Sequence, residues 1–187
     1  RLGDEHVFRP TTTIRGIDKE RLQKISSDHL QHFAFQAGLA EMFSYWKLTC
    51  SPEIRVEAGF LSDVQIDFWK NLLLEGMGEF FYVNDIDSTS PDFVRIVCTA
   101  KPKEFSFPEF CSSQETYLIP LGGGKDSMVT AELLKKFVPE NKRVLFSVNP
   151  TRAEDALAQK MGITERIIVE RVLDAHLFDL NKKGFLQ

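Results

Sequence analysis

Between positions 121 and 127 the chain reads Leu121-Gly122-Gly123-Gly124-Lys125-Asp126-Ser127, and these types in this order suit the binding of a phosphate chain. Gly122, Gly123 and Gly124 let the backbone turn sharply and bring amides close to phosphate oxygens with no Cβ in the way. An apolar run at 116–121 precedes the glycines, and a helical pattern over 126–137 follows them, stopped by Pro139. Such a helix aims its unpaired N–H groups and the positive end of its dipole at the anion. Lys125 adds a mobile positive charge and Ser127 a hydroxyl donor. Asp126 adds a carboxylate suited to a Mg²⁺ that bridges phosphates. The segment is not a Walker A loop, because Asp126 stands where Ser or Thr must follow Gly-Lys. It is not a dinucleotide fingerprint either, because no third glycine completes GxGxxG.

The elements that must position this loop are legible around it. Apolar strands are expected at 116–121, 143–148 and 166–169, with helices at 126–137 and 152–161, the second ended by Gly162. Strand, helix, strand, helix, strand implies an α/β unit with a parallel sheet and right-handed crossovers. The first half has another rhythm. Residues 1–18 are polar and threonine-rich and read as an irregular lead-in. Apolar residues three and four apart over 18–48 predict helix, interrupted near Ser26-Ser27-Asp28 and stopped by Pro52. The stretch 54–58 alternates like a half-buried strand. Ser62 and Gln65 have capping-box spacing, so a helix is expected over 63–75, ended by Gly76. Strands are expected at 79–84 and 93–99, and 100–113 reads as a linker. The expected division is a small α+β domain over 1–113 and an incomplete nucleotide-binding α/β domain over 114–187.

Composition narrows the class. The chain has 187 residues with a net charge of −4, which argues against a large nucleic-acid footprint. Sixteen Phe favour a well-filled interior. The three Cys, at 50, 98 and 111, have neither CxxC spacing nor an even count, which fits reduced thiols in a cytoplasm. No apolar stretch approaches the roughly 18–20 residues that span a bilayer.

The glycine loop resembles the SGGxDS signature of the PP-loop ATP pyrophosphatases, with Gly122 where that family usually has Ser. The resemblance implies an adenine nucleotide alpha-hydrolase-like fold that takes ATP and Mg²⁺. Gly122, Gly123, Gly124, Lys125, Asp126 and Ser127 would hold the phosphates, and Asp126 the metal. Ser147, Val148 and Asn149, at the end of the second strand, would lie near the adenine. Lys125 and Asp126 are then the expected catalytic residues of pyrophosphate release. Further segments widen the likeness: 43–53, 78–81, 146–151 and 174–185. With the loop, they resemble the bacterial UDP-N-acetylmuramoyl-L-alanyl-L-glutamate epimerases of peptidoglycan synthesis, over most of the chain from about Phe33. The family is usually much longer, so this chain looks like its N-terminal part.

The chemistry implied is coherent. The α-proton of a glutamyl residue is very weakly acidic beside its carboxylate. Adenylating that carboxylate lets a base remove the proton, and reprotonation on the other face gives D-Glu. The base stays open among Cys50, Glu53, Glu79, Asp174 and His176, with a Cys50 thiolate lowered in pKa by nearby Lys47 as one form of it. Lys47 is also a candidate to pair with a substrate phosphate or carboxylate, and Tyr45 and Trp46 to stack on a uracil, although core packing suits both rings. The expected partner is a nucleotide-linked muramoyl dipeptide, with no membrane and no nucleic acid, and homo-oligomer formation stays open. Two other readings compete: a PP-loop enzyme that thiolates RNA or attaches lysine to it, and a non-catalytic nucleotide-binding module. With three parallel strands legible, the last strand is expected to be exposed or paired between copies, and the chain alone to be inactive or weakly active.

Overall fold

A computed structural model describes residues 1–102 and 116–186. Most of the expected linker at 100–113, and Cys111, lie outside the described residues. The chain forms two compact units: one comprises Arg1–Arg9, Ser26–Phe107 and Asp174–Gln187, the other Pro10–Ile25 and Pro108–Leu173. Both are α/β. The sequence suggests a single cut near residue 113, whereas the units interleave: 10–25 joins the loop-bearing unit, and 174–187 returns to the first.

The first unit is built on β2 (Glu53–Val56) and β3 (Arg95–Cys98), which pair in parallel with Ile54 opposite Ile96. Helix α2 (Ser27–Trp46) starts where Ser26 caps it, its hydroxyl accepting the His29 amide at 3.2 Å. That cap is the physical form of the break seen at Ser26-Ser27-Asp28. Helix α3 (Asp63–Gly76) carries the full capping box between Ser62 and Gln65. Trp46, Trp69, Leu73, Phe81, Val94 and Ile96 fill the core, and Trp46 and Phe93 both meet Phe81 edge to face.

One expectation fails here. Residues 79–84, read as a strand, form helix α4 (Gly78–Val83). Phe80 and Phe81 are adjacent and both buried, a pattern in which local aromatic content imitates a strand while packing demands a helix. The stretch 174–185, quoted for its resemblance alone, contains helix α7 (Ala175–Lys182), capped by Asp174.

The second unit carries a four-stranded sheet in the order β1 (Thr11–Arg15), β6 (Arg166–Val172), β5 (Arg143–Val148) and β4 (Tyr117–Pro120). Strands β4, β5 and β6 are parallel, as the strand–helix rhythm requires. Helix α5 (Lys125–Leu134) follows β4, and α6 (Arg152–Met161) follows β5 and ends at Gly162 with φ 67°. Ile119, Leu121, Ala131, Leu145, Ala158, Met161 and Ile163 form one apolar cluster between sheet and helices.

The lead-in is not irregular throughout. Thr11–Arg15 forms β1, antiparallel to β6, with Thr11 opposite Val172 and Arg15 opposite Ile168. All five of its residues are exposed, so it has no apolar alternation to betray it. This overturns the expectation of an uncovered last strand: β1 covers the edge of β6. A short helix, α1 (Lys19–Gln23), follows β1.

Candidate functional site

The glycine loop leaves β4 at its carboxyl end. Leu121 still belongs to the ladder, its amide donating to the Phe146 carbonyl at 2.7 Å. Gly123 has φ 75°, a left-handed conformation that a β-carbon disfavours. Gly124 caps α5 in extended geometry, with no side chain on the helix amides. Ser127 Oγ donates to the Gly124 carbonyl at 2.9 Å and so closes the first turn. Lys125 and Asp126 are exposed at the helix start. A Cβ on Gly122 or Gly124 would meet nothing within 4 Å, so the space over both glycines is open.

Behind the loop stands a residue that the glycine motif does not contain. Glu154, in the first turn of α6, is buried, and its Cγ lies 3.0 Å from where a Gly123 Cβ would be. Its carboxylate accepts the Thr151 amide at 2.6 Å, and its own amide donates to Thr151 Oγ at 3.3 Å. The spacing Thr151-x-x-Glu154 is a capping-box signal, and would have located it.

The parallel register sets Pro120 opposite Phe146, so Ser147, Val148 and Asn149 leave the same sheet edge beside the loop. They serve different ends. Ser147 is buried and its hydroxyl accepts from the Arg166 guanidinium at 3.0 Å, while another nitrogen of that group donates to Asp155 at 2.7 Å. Val148 is half-exposed. Asn149 has φ 46° and extends the ladder with its side chain: Nδ2 donates to the Arg171 carbonyl at 2.9 Å and Oδ1 accepts the Arg171 amide at 2.7 Å.

The proton-abstraction candidates Cys50, Glu53, Glu79, Asp174 and His176 all belong to the first unit. Burial pushes the Cys50 thiol up, which corrects the expectation of a lowered value. Its Sγ donates to the Lys47 carbonyl at 3.9 Å, and the Lys47 ammonium sits 5.2 Å from the centre of the Phe80 ring. Glu53 is held below the usual carboxylate range by hydrogen bonds from Arg55 and Arg95, which weakens it as a base. Asp174 is also lowered, by the backbone amides of His176 and Arg9. His176 Nε2 lies 3.1 Å from His6 Nδ1, between the rings of His6 and Phe8. Glu79 is exposed at the start of α4. Tyr45 and Trp46 are buried. The Tyr45 hydroxyl accepts the Asp174 amide at 3.0 Å, and Trp46 Nε1 donates to the Ser51 carbonyl at 2.8 Å. Both rings are thus occupied by packing rather than offered to a base.

Among the described residues no three His, Cys, Asp or Glu side chains converge to hold a metal ion, and no helix is long and apolar enough to cross a membrane.

Two curated relatives are similar to this chain. A UDP-N-acetyl-alpha-D-muramoyl-L-alanyl-L-glutamate epimerase of Salinispora tropica is 29% identical over 144 residues, covering 76% of this chain and 30% of that protein. One from Xanthomonas oryzae pv. oryzae is 25% identical over 141 residues, covering 75% of this chain and 30% of that protein. The chain thus matches about a third of the length of either relative. No solved structure matches it. The family model described as the MurL N-terminal domain matches residues 1–187, and the chain belongs to that family.

Proposed function

We propose that this chain is the phosphate-binding portion of an ATP-dependent epimerase that inverts the terminal L-Glu of UDP-MurNAc-L-Ala-L-Glu in peptidoglycan precursor synthesis. The observation that carries the reading is the loop between β4 and α5: Gly123 in a left-handed turn, open space over Gly122 and Gly124, and α5 amides with no side-chain cap. The backbone over Gly122 and Gly124 is open and the first amides of α5 have no side-chain cap, which fits a polyphosphate. The names of both curated relatives support the same substrate.

ATP with Mg²⁺ supplies activation of the carboxylate, splitting to AMP and pyrophosphate. The chain's residues do the rest of the work at that end. Loop amides and the α5 dipole bind the leaving pyrophosphate and spread its charge. Lys125 neutralises a phosphate oxygen. Asp126, a single exposed carboxylate, suits Mg²⁺, which keeps most of its waters and takes one or two protein carboxylates beside phosphates. Ser147, Val148 and Asn149 border the loop where a nucleoside would lie.

Pyrophosphate release from ATP and Mg²⁺ by the whole epimerase of which this chain is the proposed portion, with and without UDP-MurNAc-L-Ala-L-Glu, tests the reading. Release that depends on the dipeptide substrate and disappears in Asp126→Ala is the expected result. Release that ignores the substrate, or survives the substitution, would overturn it.

A further inference from the structure

We infer that the first unit contains a separate site for the nucleoside diphosphate end of the substrate, in the pocket above the carboxyl ends of β2 and β3. The inference rests on the proposed substrate, which carries such a group. Ligands of parallel α/β units collect outside the carboxyl ends of the strands, where the connecting loops diverge. β2 and β3 are such a parallel pair. At their carboxyl ends lies a pocket of about 420 Å³, of the size that holds a small ligand. Its walls come from the loop after β2 (Gly59, Phe60), from Lys101 after β3, and from Asp28, Gln31 and Phe35 on the first turns of α2.

The floor is fixed. A Cβ on Gly59 would stand 2.9 Å from three atoms of the Phe35 ring, so the ring lies against the Gly59 backbone. Cys98, the last residue of β3, clamps the same loop from the other side: its Sγ accepts the Leu61 amide at 3.3 Å and donates to the Gly59 carbonyl at 3.5 Å. A loop held in this way keeps Phe60 partly in solvent, at 38% exposure, although burial of that ring would be favourable.

The chemistry of the walls matches two parts of one ligand. Phe60 offers an exposed ring to a planar base, a contact indifferent to base identity. Lys101 supplies the positive charge that a diphosphate requires, and no carboxylate pairs with it among the described residues. The α3 amides contribute little, because Ser62 Oγ already accepts from Gln65.

UDP binding to the whole protein, measured calorimetrically without ATP, tests the assignment. One UDP is expected per chain. Lys101→Met and Phe60→Ala should each weaken it about tenfold or more, while Lys101→Arg and Asp126→Ala leave it unchanged and ATP does not compete. Both substituted side chains reach solvent, so circular dichroism should be unaltered. Absence of UDP binding, loss of it in Asp126→Ala, or competition by ATP would overturn the site. The two proposals fail separately. UDP held here with no pyrophosphate release removes the adenylation reading alone. Substrate-dependent release with normal UDP binding by Lys101→Met removes this site alone.

Discussion

Glu154 backs Gly123. The acid's Cγ occupies the space that any side chain at residue 123 would need, 3.0 Å from an added Cβ, and the glycine has φ 75°. Gly123→Ala therefore meets two penalties, left-handed backbone strain of roughly 1–2 kcal/mol and displacement of a buried carboxylate that closes the α6 capping box. Urea unfolding should show a loss of at least the strain, together with weaker ATP binding. Gly122→Ser is the matched control. With nothing near its Cβ, it should keep stability within about 0.5 kcal/mol. Equal destabilisation by the two changes would refute the role given to Glu154.

A second prediction concerns the covered edge of the sheet. Gly16 ends β1 with φ 81°, and a Cβ there would come within 2.0 Å of the Arg166 carbonyl oxygen. Backbone cannot yield as a flexible side chain does. Gly16→Ala should cost about 3 kcal/mol or more and free β1 from β6. Hydrogen exchange of Thr11–Arg15 amides is the readout, and unchanged protection in the variant would count against the pairing described.

Asp174 sets a pH dependence. Amides of His176 and Arg9 hold its carboxyl below the ordinary carboxylate value. A depressed folded-state value means the stabilisation is present above the unfolded-state value and is lost as pH falls through the folded one. Thermal melts should show stability falling on acidification below the ordinary carboxylate range. Asp174→Asn keeps a competent N-cap but not the charge, so its acid slope should be shallower. An identical slope in both proteins would remove Asp174 from the account.

Cys50 should be a slow thiol. Desolvation raises its pKa, and the thiolate is the reactive form. Peptide mapping after iodoacetamide treatment at neutral pH should show Cys50 modified more slowly than a small-molecule thiol, with the rate climbing only at alkaline pH. Rapid neutral alkylation would restore the catalytic thiolate reading.

Much of the second unit was legible because each element announces itself locally. The apolar run over 143–148 and the pair Pro150 and Gly162 around α6 leave little freedom, and the glycines of the loop sit between a strand and a helix as their chemistry requires. The first unit was readable where caps exist, at Ser26 and Ser62. It was opaque where local and tertiary demands diverge: Phe80 and Phe81 look like a strand, but both reach the core from one helical turn. Strand β1 was hidden because threonines paired to a distant strand have no apolar face. Glu154 was hidden as a site residue because its importance arises from the position of Gly123, thirty-one residues earlier in a different loop.

The threading of the chain through its two units has a consequence for dissecting the protein. Residues 10–25 and 174–187 each belong to the unit opposite to that of their sequence neighbours. No single truncation point can release either unit whole: a cut that spares the glycine loop's sheet strands β1 on the wrong fragment, and one placed before Asp174 deprives the first unit of α7. Separation calls for a rearranged gene, with the ends rejoined and new termini opened elsewhere.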